Sequence, residues 1–169
     1  QKKEYPPYLF NLSNLQWHIT SKNKGWTSEK VLKVAQDLYE KKITTYPRTD
    51  SRYITTDLVP YLKPRLKDIA THSKYTDIRN DLLDGELNID KKLVNDEEVT
   101  DHHAIIVTSK LANYDLEQLN QIERNILDLI ITRMLVALSD KYKYRETVIN
   151  VTFNNGMIFS AKWKIPISM

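Results

Sequence analysis

Tyr46, Arg48, Asp50, Ser51 and Arg52 fall within one short run, Ile43-Thr-Thr-Tyr-Pro-Arg-Thr-Asp-Ser-Arg52. A tyrosine hydroxyl ionises near pH 10, so at pH 7 it attacks poorly unless its proton is taken or its anion is held. An arginine two residues further on stays charged and can hold a phosphate oxygen through paired N–H donors. In-line attack on a phosphodiester gathers charge on the equatorial oxygens, and a fixed guanidinium lowers that barrier. The same string also suits a surface turn with an exposed tyrosine, and Tyr-x-Arg alone does not separate the two. His102 and His103 form a second reactive pair. An imidazole can donate to a phosphate oxygen or change its charge near neutral pH. Adjacent histidines can also bind metal, but the chain has no cysteine and no carboxylate lies four residues after either histidine, so spacing alone favours a surface pair.

These residues need elements to hold them. Thr27 or Ser28 caps a helix through Val31, Leu32, Ala35, Leu38 and Tyr39 to about Lys41. The β-branched and aromatic Ile43–Tyr46 predicts a short strand, and Pro47 ends any helix. Upstream, the Pro6-Pro7 pair keeps the chain extended, and Ser13 or Asn14 caps a short helix from Leu15 to Gly25. Downstream, a helix is predicted over about 57–70, with Pro60 in its first turn and Pro64 bending it. Residues 71–101 are polar and acidic and predict a surface excursion, followed by a buried strand at 104–107. Asp115 and Gln118 suggest a capping box opening the longest helix, 116–138, whose apolar stripe belongs to a core. Asn154-Asn155-Gly156 between two alternating runs predicts a hairpin. The fold class is therefore α+β and mainly helical.

Composition narrows the function. The chain has 169 residues, 41% hydrophobic and 28% charged, as in an ordinary globular domain. The absence of cysteine excludes disulfide scaffolds, thiolate zinc sites and cysteine catalysis. No glycine-rich nucleotide loop, membrane span or leader pattern is present in the sequence. The net charge of +3 hides a division. Residues 1–67 carry 13 Lys/Arg against 6 Asp/Glu, whereas residues 68–101 carry 4 against 10. A basic first third suits an anionic partner such as nucleic acid, or simply a solvated lysine surface. A chain opening on Gln1 is expected to be a piece of a longer protein.

The string Thr45-Tyr-Pro-Arg-Thr-Asp-Ser-Arg-Tyr53 resembles the active-site signature of type IA DNA topoisomerases, in the topoisomerase III form. It is preceded by Leu12-x-x-Leu15-Gln16, Gly25-Trp26 and Ala35-Gln36-x-Leu38-Tyr39-Glu40. It is followed by Val94-Asn95-Asp96, by Thr100-Asp-His-His-Ala-Ile-Ile106, and by Glu123-x-x-Ile126-x-Asp128-Leu129-Ile130. The resemblance covers most of the chain, in order. It implies that Tyr46 is the nucleophile that cuts one DNA strand and keeps its 5′ phosphate as a phosphotyrosine. It implies that Arg48 stabilises the scissile phosphate and that His102 contacts DNA phosphate. Asp50 and Ser51 match the turn supporting the tyrosine, while Arg52 and Lys42 are expected to contact the DNA backbone. Val107 departs from the proline usual at that place in the family.

The resemblance also implies an architecture. Residues 1–14 would be a strand segment of a neighbouring arch domain, 15–112 the movable tyrosine-bearing domain, and 113–169 the long helix and hairpin of the arch. The terminal segments 1–14 and 146–169 would then pair with each other or between molecules. The family's magnesium-binding acidic domain and catalytic lysine precede this region. No cofactor is therefore expected here, and the isolated chain is expected to be inactive. The implied partner is single-stranded DNA, in a cytoplasmic protein without membrane contact; the oligomeric state is open. A single-stranded DNA-binding module using Trp17, Trp26, Tyr46 and Tyr53 without catalysis is the alternative. A tyrosine recombinase fits less well, because its tyrosine follows its Arg and His, whereas Tyr46 precedes His102. A purely structural helical module accounts for none of these motifs.

Overall fold

The computed structural model describes residues 2–76 and 82–167. The expected surface excursion at 71–101 therefore lies partly outside the described residues. Two compact units are present: residues 7–139, and residues 1–6 together with 140–169.

The larger unit is helical. Helix α1 spans Leu12–Lys22 and buries Leu15 and Ile19. It starts three residues earlier than its sequence signal, because Asn11 is the better cap: its side chain accepts the Asn14 N–H at 2.8 Å. Helix α2 spans Ser28–Glu40, capped by Thr27 as expected, and turns Val31, Val34, Ala35 and Leu38 inward. The helix expected over 57–70 is split. A 3-10 helix covers Thr56–Tyr61, and α3 covers Leu62–Ile69. Pro64 falls in the first turn of α3, where its missing N–H has no helical partner to lose, so it does not bend a longer helix.

The long helix is shorter than expected for a similar reason. Asp115 caps only a 3-10 turn at Leu116–Gln118. Helix α4 begins afresh at Gln121 and runs to Leu138. Asn120 accepts the Ile122 and Glu123 N–H groups, and the Glu123 carboxylate returns to the Asn120 N–H at 3.0 Å. This reciprocal box satisfies more orphan donors than the Asp115 turn does. In contact terms α4 belongs to the unit that contains Tyr46, not to that of the terminal hairpin.

The expected strands at 43–46 and 104–107 reduce to isolated bridges, Thr44 with Val107 and Phe10 with Ile105. Thr45 explains the break: its hydroxyl bonds the Ala104 carbonyl and the Ile106 N–H in place of a continued ladder. The bonds beside the Thr44–Val107 bridge are Thr45 N–H to Ile106 O and Thr108 N–H to Ile43 O. The Val107 N–H takes no part in them, so either valine or proline suits the position. The acidic region is not wholly a surface excursion, since Tyr75, Leu82 and Leu93 are buried and Ile54 bridges Val94 in parallel.

The smaller unit is a three-stranded antiparallel sheet in the order β1-β2-β3. Strand β1 is Lys2–Glu4, β2 is Tyr142–Thr152 and β3 is Ile158–Pro166. The terminal segments do pair, but β1 meets β2 at Tyr142–Tyr144, ahead of the stretch expected to receive it. The predicted hairpin closes around Gly156.

Candidate functional site

The site begins where α2 stops. Ile43 N–H reaches Leu38 O at 3.2 Å and Lys42 N–H reaches Tyr39 O at 2.8 Å, which closes the helix as a Schellman turn. Lys42 takes the left-handed residue of that turn, with φ +62°. Ile43 then plugs the core and Thr44 bridges Val107. Thr45 pins the chain to the 104–106 segment at N–H and hydroxyl alike. Tyr46, half-buried, leaves the core at this fixed point.

Its ring is held on two sides. The Tyr39 ring lies 5.2 Å away at 73°, an edge-to-face contact, and the His102 ring lies 4.5 Å away at 49°. Beside them opens a cleft of about 400 Å³ whose lining includes Tyr39, Lys42, Thr45, Tyr46 and Thr108. Thr49, buried behind the turn, donates from its hydroxyl to the His102 carbonyl at 2.7 Å. The same hydroxyl accepts the Ser51 N–H at 3.1 Å. One threonine therefore ties the tyrosine's turn to the backbone of the histidine. Ser51 is buried and its hydroxyl accepts the Tyr53 N–H at 3.2 Å. Asp50 contributes its carbonyl, which accepts from the Asn11 side chain at 2.9 Å, while the residue itself is exposed.

The structure thus gathers Tyr46, His102 and Lys42, with Thr49 and Ser51 supporting them. Arg48 is exposed next to the tyrosine, and among the described residues no carboxylate pairs with it. Arg52 points elsewhere. Its guanidinium sits 4.4 Å from the centre of the Tyr8 ring, and Tyr8 meets Tyr53 edge-on at 5.5 Å. Burial, followed by the contact with the Tyr8 hydroxyl, pushes the Tyr53 phenol up, with Arg52 working against it. His103 is turned aside as well: its Nδ1 bonds the Ala104 carbonyl at 2.8 Å, so that nitrogen carries the proton. Among the described residues, no three His, Asp or Glu side chains converge as a metal site.

Sequence reasoning missed several supporting residues. Tyr39 sits seven positions before Tyr46 and reads as part of the apolar face of its helix and of a family string, without a role beside the tyrosine. Arg133 donates to the Tyr8 carbonyl at 3.1 Å and covers the Phe10 ring at 3.9 Å, holding the segment that bonds Ile105. Glu123 stood in a quoted motif, but nothing local says that its other oxygen receives Lys41 Nζ at 2.7 Å.

A turn-borne tyrosine packed on a histidine, with Lys42 and Arg48 close by in the chain and without ion-pair partners among the described residues, suits attack on a phosphodiester. A family model described as DNA topoisomerase matches residues 1–168. The DNA topoisomerase 3 of Bacillus licheniformis is 39% identical over 165 residues, covering 96% of this chain and 22% of that protein. That of Bacillus cereus strain ZK is 36% identical over 172 residues, covering 97% of this chain and 23% of its own. Among solved structures, full-length topoisomerase I from Thermotoga maritima matches with a TM-score of 0.65 and 26% identity, over 98% of this chain and 26% of that one. The chain belongs to the DNA topoisomerase family. Within that family it is of the type IA kind, topoisomerase III-like, and spans under a quarter of the length of the curated relatives described above.

Proposed function

We propose that this chain is the tyrosine-bearing part of a topoisomerase III that cuts one DNA strand, passes another through the break and reseals it. The observation that carries this reading is the placement of Tyr46, clamped between Tyr39 and His102 at the mouth of an open cleft. The Tyr46 hydroxyl oxygen attacks the phosphorus, its proton leaves, and a P–O bond forms to tyrosine. The bond from phosphorus to the neighbouring 3′ oxygen breaks, and that oxygen takes up a proton as a hydroxyl. Resealing is the reverse. Arg48, exposed and without a carboxylate partner among the described residues, stabilises charge on the phosphate oxygens. His102 donates to a phosphate oxygen while its ring limits the swing of Tyr46. Asp50 and Ser51 shape the turn, and Lys42 holds the DNA backbone. Arg52, packed on Tyr8, reads as an aromatic-backed contact to the same strand.

Single-stranded DNA is the proposed partner, in the cytoplasm. Among the described residues no helix is long and apolar enough to cross a membrane. Magnesium belongs, in this reading, to another part of the parent protein, and no step above runs through it.

Covalent capture of a 3′-labelled single strand by the full-length parent tests the proposal. Tyr46→Phe should abolish capture and leave strand binding nearly intact, and the chain alone with magnesium should not relax supercoiled DNA. Binding that falls as far as capture would overturn the nucleophile. Robust relaxation by the chain alone would overturn the view that it is half of a site. Binding without capture in the parent itself would favour a non-catalytic DNA-binding module.

A further inference from the structure

A second concavity, of about 220 Å³, opens among the helices of the larger unit. The end of α1 gives it His18 and Lys22, the following turn gives Trp26, and α4 gives Asn125, Ile126 and Leu129. Trp26 stands just ahead of α2, whereas Tyr46 follows its far end. About 20 Å of helix therefore lies between this cavity and the tyrosine.

Among the described residues that line it there is no carboxylate. Lys22 forms no ion pair among the described residues either; its Nζ meets His18 Nε2 at 3.1 Å. An ammonium only donates, so Nε2 accepts and the imidazole is neutral. Burial, then Lys22 and Arg133, hold that ring below its ordinary value, so the charges it feels are positive. Asn125 accepts the Gln121 side chain through Oδ1 at 2.8 Å, which leaves its amide N–H donors for a ligand. Residues 17–33 hold four lysines against one glutamate. The rest of the wall is apolar: Ile126 is buried, and Trp26 and Leu129 pack against the core. Unpaired donors beside an aliphatic wall suit a carboxylate joined to an apolar side chain. They suit a nucleotide less well, because the cavity falls below the usual small-ligand range of about 300 Å³ upwards. Trp26, backed by the core, also carries Lys30 Nζ 4.5 Å from its ring centre, which leaves little open face for a base.

We propose that this cavity docks an acidic, apolar peptide segment of a partner protein. An aliphatic side chain of the segment enters against Ile126 and Leu129, and a neighbouring carboxylate takes the Lys22 ammonium and the Asn125 amide. The site stands apart from Tyr46, and neither reading depends on the other.

The probe is a fluorescein-labelled decapeptide of alternating Asp and Leu, read by anisotropy against the chain at about 50 mM salt, where screening is modest, with thermal melting alongside. The wild type should bind it. Lys22→Gln should weaken binding about fivefold, the worth of one exposed charge pair. Asn125→Trp fills the cavity from an exposed position and should abolish measurable binding. Both variants should keep the wild-type Tm to within about 2 °C, as surface changes do. Lys22→Gln alone decides the matter if Asn125→Trp melts early. Decapeptides of alternating Asn and Leu, or of alternating Asp and Ser, should each bind about fivefold more weakly or worse, since one lacks the charge and the other the apolar side chain. A wild type that does not bind the acidic peptide, or a Lys22→Gln chain that binds it as tightly as the wild type, overturns the proposal. An oligothymidylate that displaces the peptide and loses affinity in the same two variants overturns it too, and makes the cavity a nucleic-acid site.

Discussion

Residues 7–139 and the sheet formed by 1–6 and 140–169 bury their side chains in opposite ways. In the first, helices close over a continuous apolar cluster from Leu9 to Leu138. In the second, adjacent residues such as Val148 and Ile149, which point to opposite faces of β2, are both exposed. Phe153, Ile158 and Phe159 are more than half exposed too. Specificity in the sheet comes from backbone pairing, nine residue pairs in unbroken register between β2 and β3. Specificity around Tyr46 comes from burial plus side-chain bonds to backbone, through Thr45, Thr49 and Ser51. The difference explains how a surface turn can hold a tyrosine in a fixed place: its polar bonds are anchored on a packed core, whereas among the described residues of the sheet unit only Tyr144 is buried.

The largest test of this contrast compares two apolar truncations. Leu38 is fully buried and its carbonyl also closes the Schellman turn that precedes Tyr46. Leu38→Ala should cost about 3 kcal/mol, seen as a lower urea midpoint. Ile149→Thr, on an exposed strand face, should stay within about 0.5 kcal/mol. Equal costs would show that the two units do not differ in the way their burial implies.

A smaller effect is expected at Glu123, which joins the start of α4 to the end of α2. Burial alone would raise its carboxyl, but the bonds from Lys41 and from the Asn120 N–H outweigh this and hold it below its ordinary value of 4.5. A carboxylate depressed in the folded state contributes stability above its unfolded pKa and loses it as pH falls through the folded one. Glu123→Gln should therefore cost about 2 kcal/mol at pH 7. The gap to wild type should close as pH drops below the ordinary carboxylate value. Urea melts at pH 7 and in acid measure both; a gap that widens in acid reverses the assignment.

Legibility in the sequence follows the same division. Helix α2, its Thr27 cap and the hairpin around Gly156 were legible because their signals are local: a cap, a 3.6-residue period, a turn residue. The order of the family motifs pointed to the family that the comparisons show. Boundaries failed where two local signals competed. Asn11 displaced Ser13 and Asn14 as the cap of α1, and the Asn120–Glu123 box displaced Asp115 and Gln118. Strand propensity at Ile43–Tyr46 gave way to the Thr45 hydroxyl, which completes its bonds through residues some sixty positions away. The chemical types at Tyr46, Arg48 and His102 were readable. The Tyr39 clamp, the Arg133 support and the diversion of Arg52 onto Tyr8 were not, because each depends on a contact that no spacing rule encodes.

The smallest effect sharpens the comparison most, since it places one substitution in both units. Gly25 and Gly156 are both left-handed, at φ +87° and +83°, and an added Cβ would touch nothing within 4 Å at either position. The cost of alanine is therefore backbone strain alone, about 1 kcal/mol in each case. Gly25 links α1 to α2, whose buried faces belong to one core, so Gly25→Ala should lower the urea midpoint of the whole unit. Gly156 closes a three-residue loop in which its N–H bonds the Phe153 carbonyl at 2.9 Å, and Phe153 N–H bonds Met157 O at 2.9 Å. Gly156→Ala should instead speed amide exchange across β2 and β3 about fivefold, the factor equivalent to that strain. Protection of the amides in α2 and α4 should be unchanged. Exchange that quickens in α2 as much as in β3 would mean the hairpin and the tyrosine-bearing core open as one cooperative unit, against the difference in burial between them.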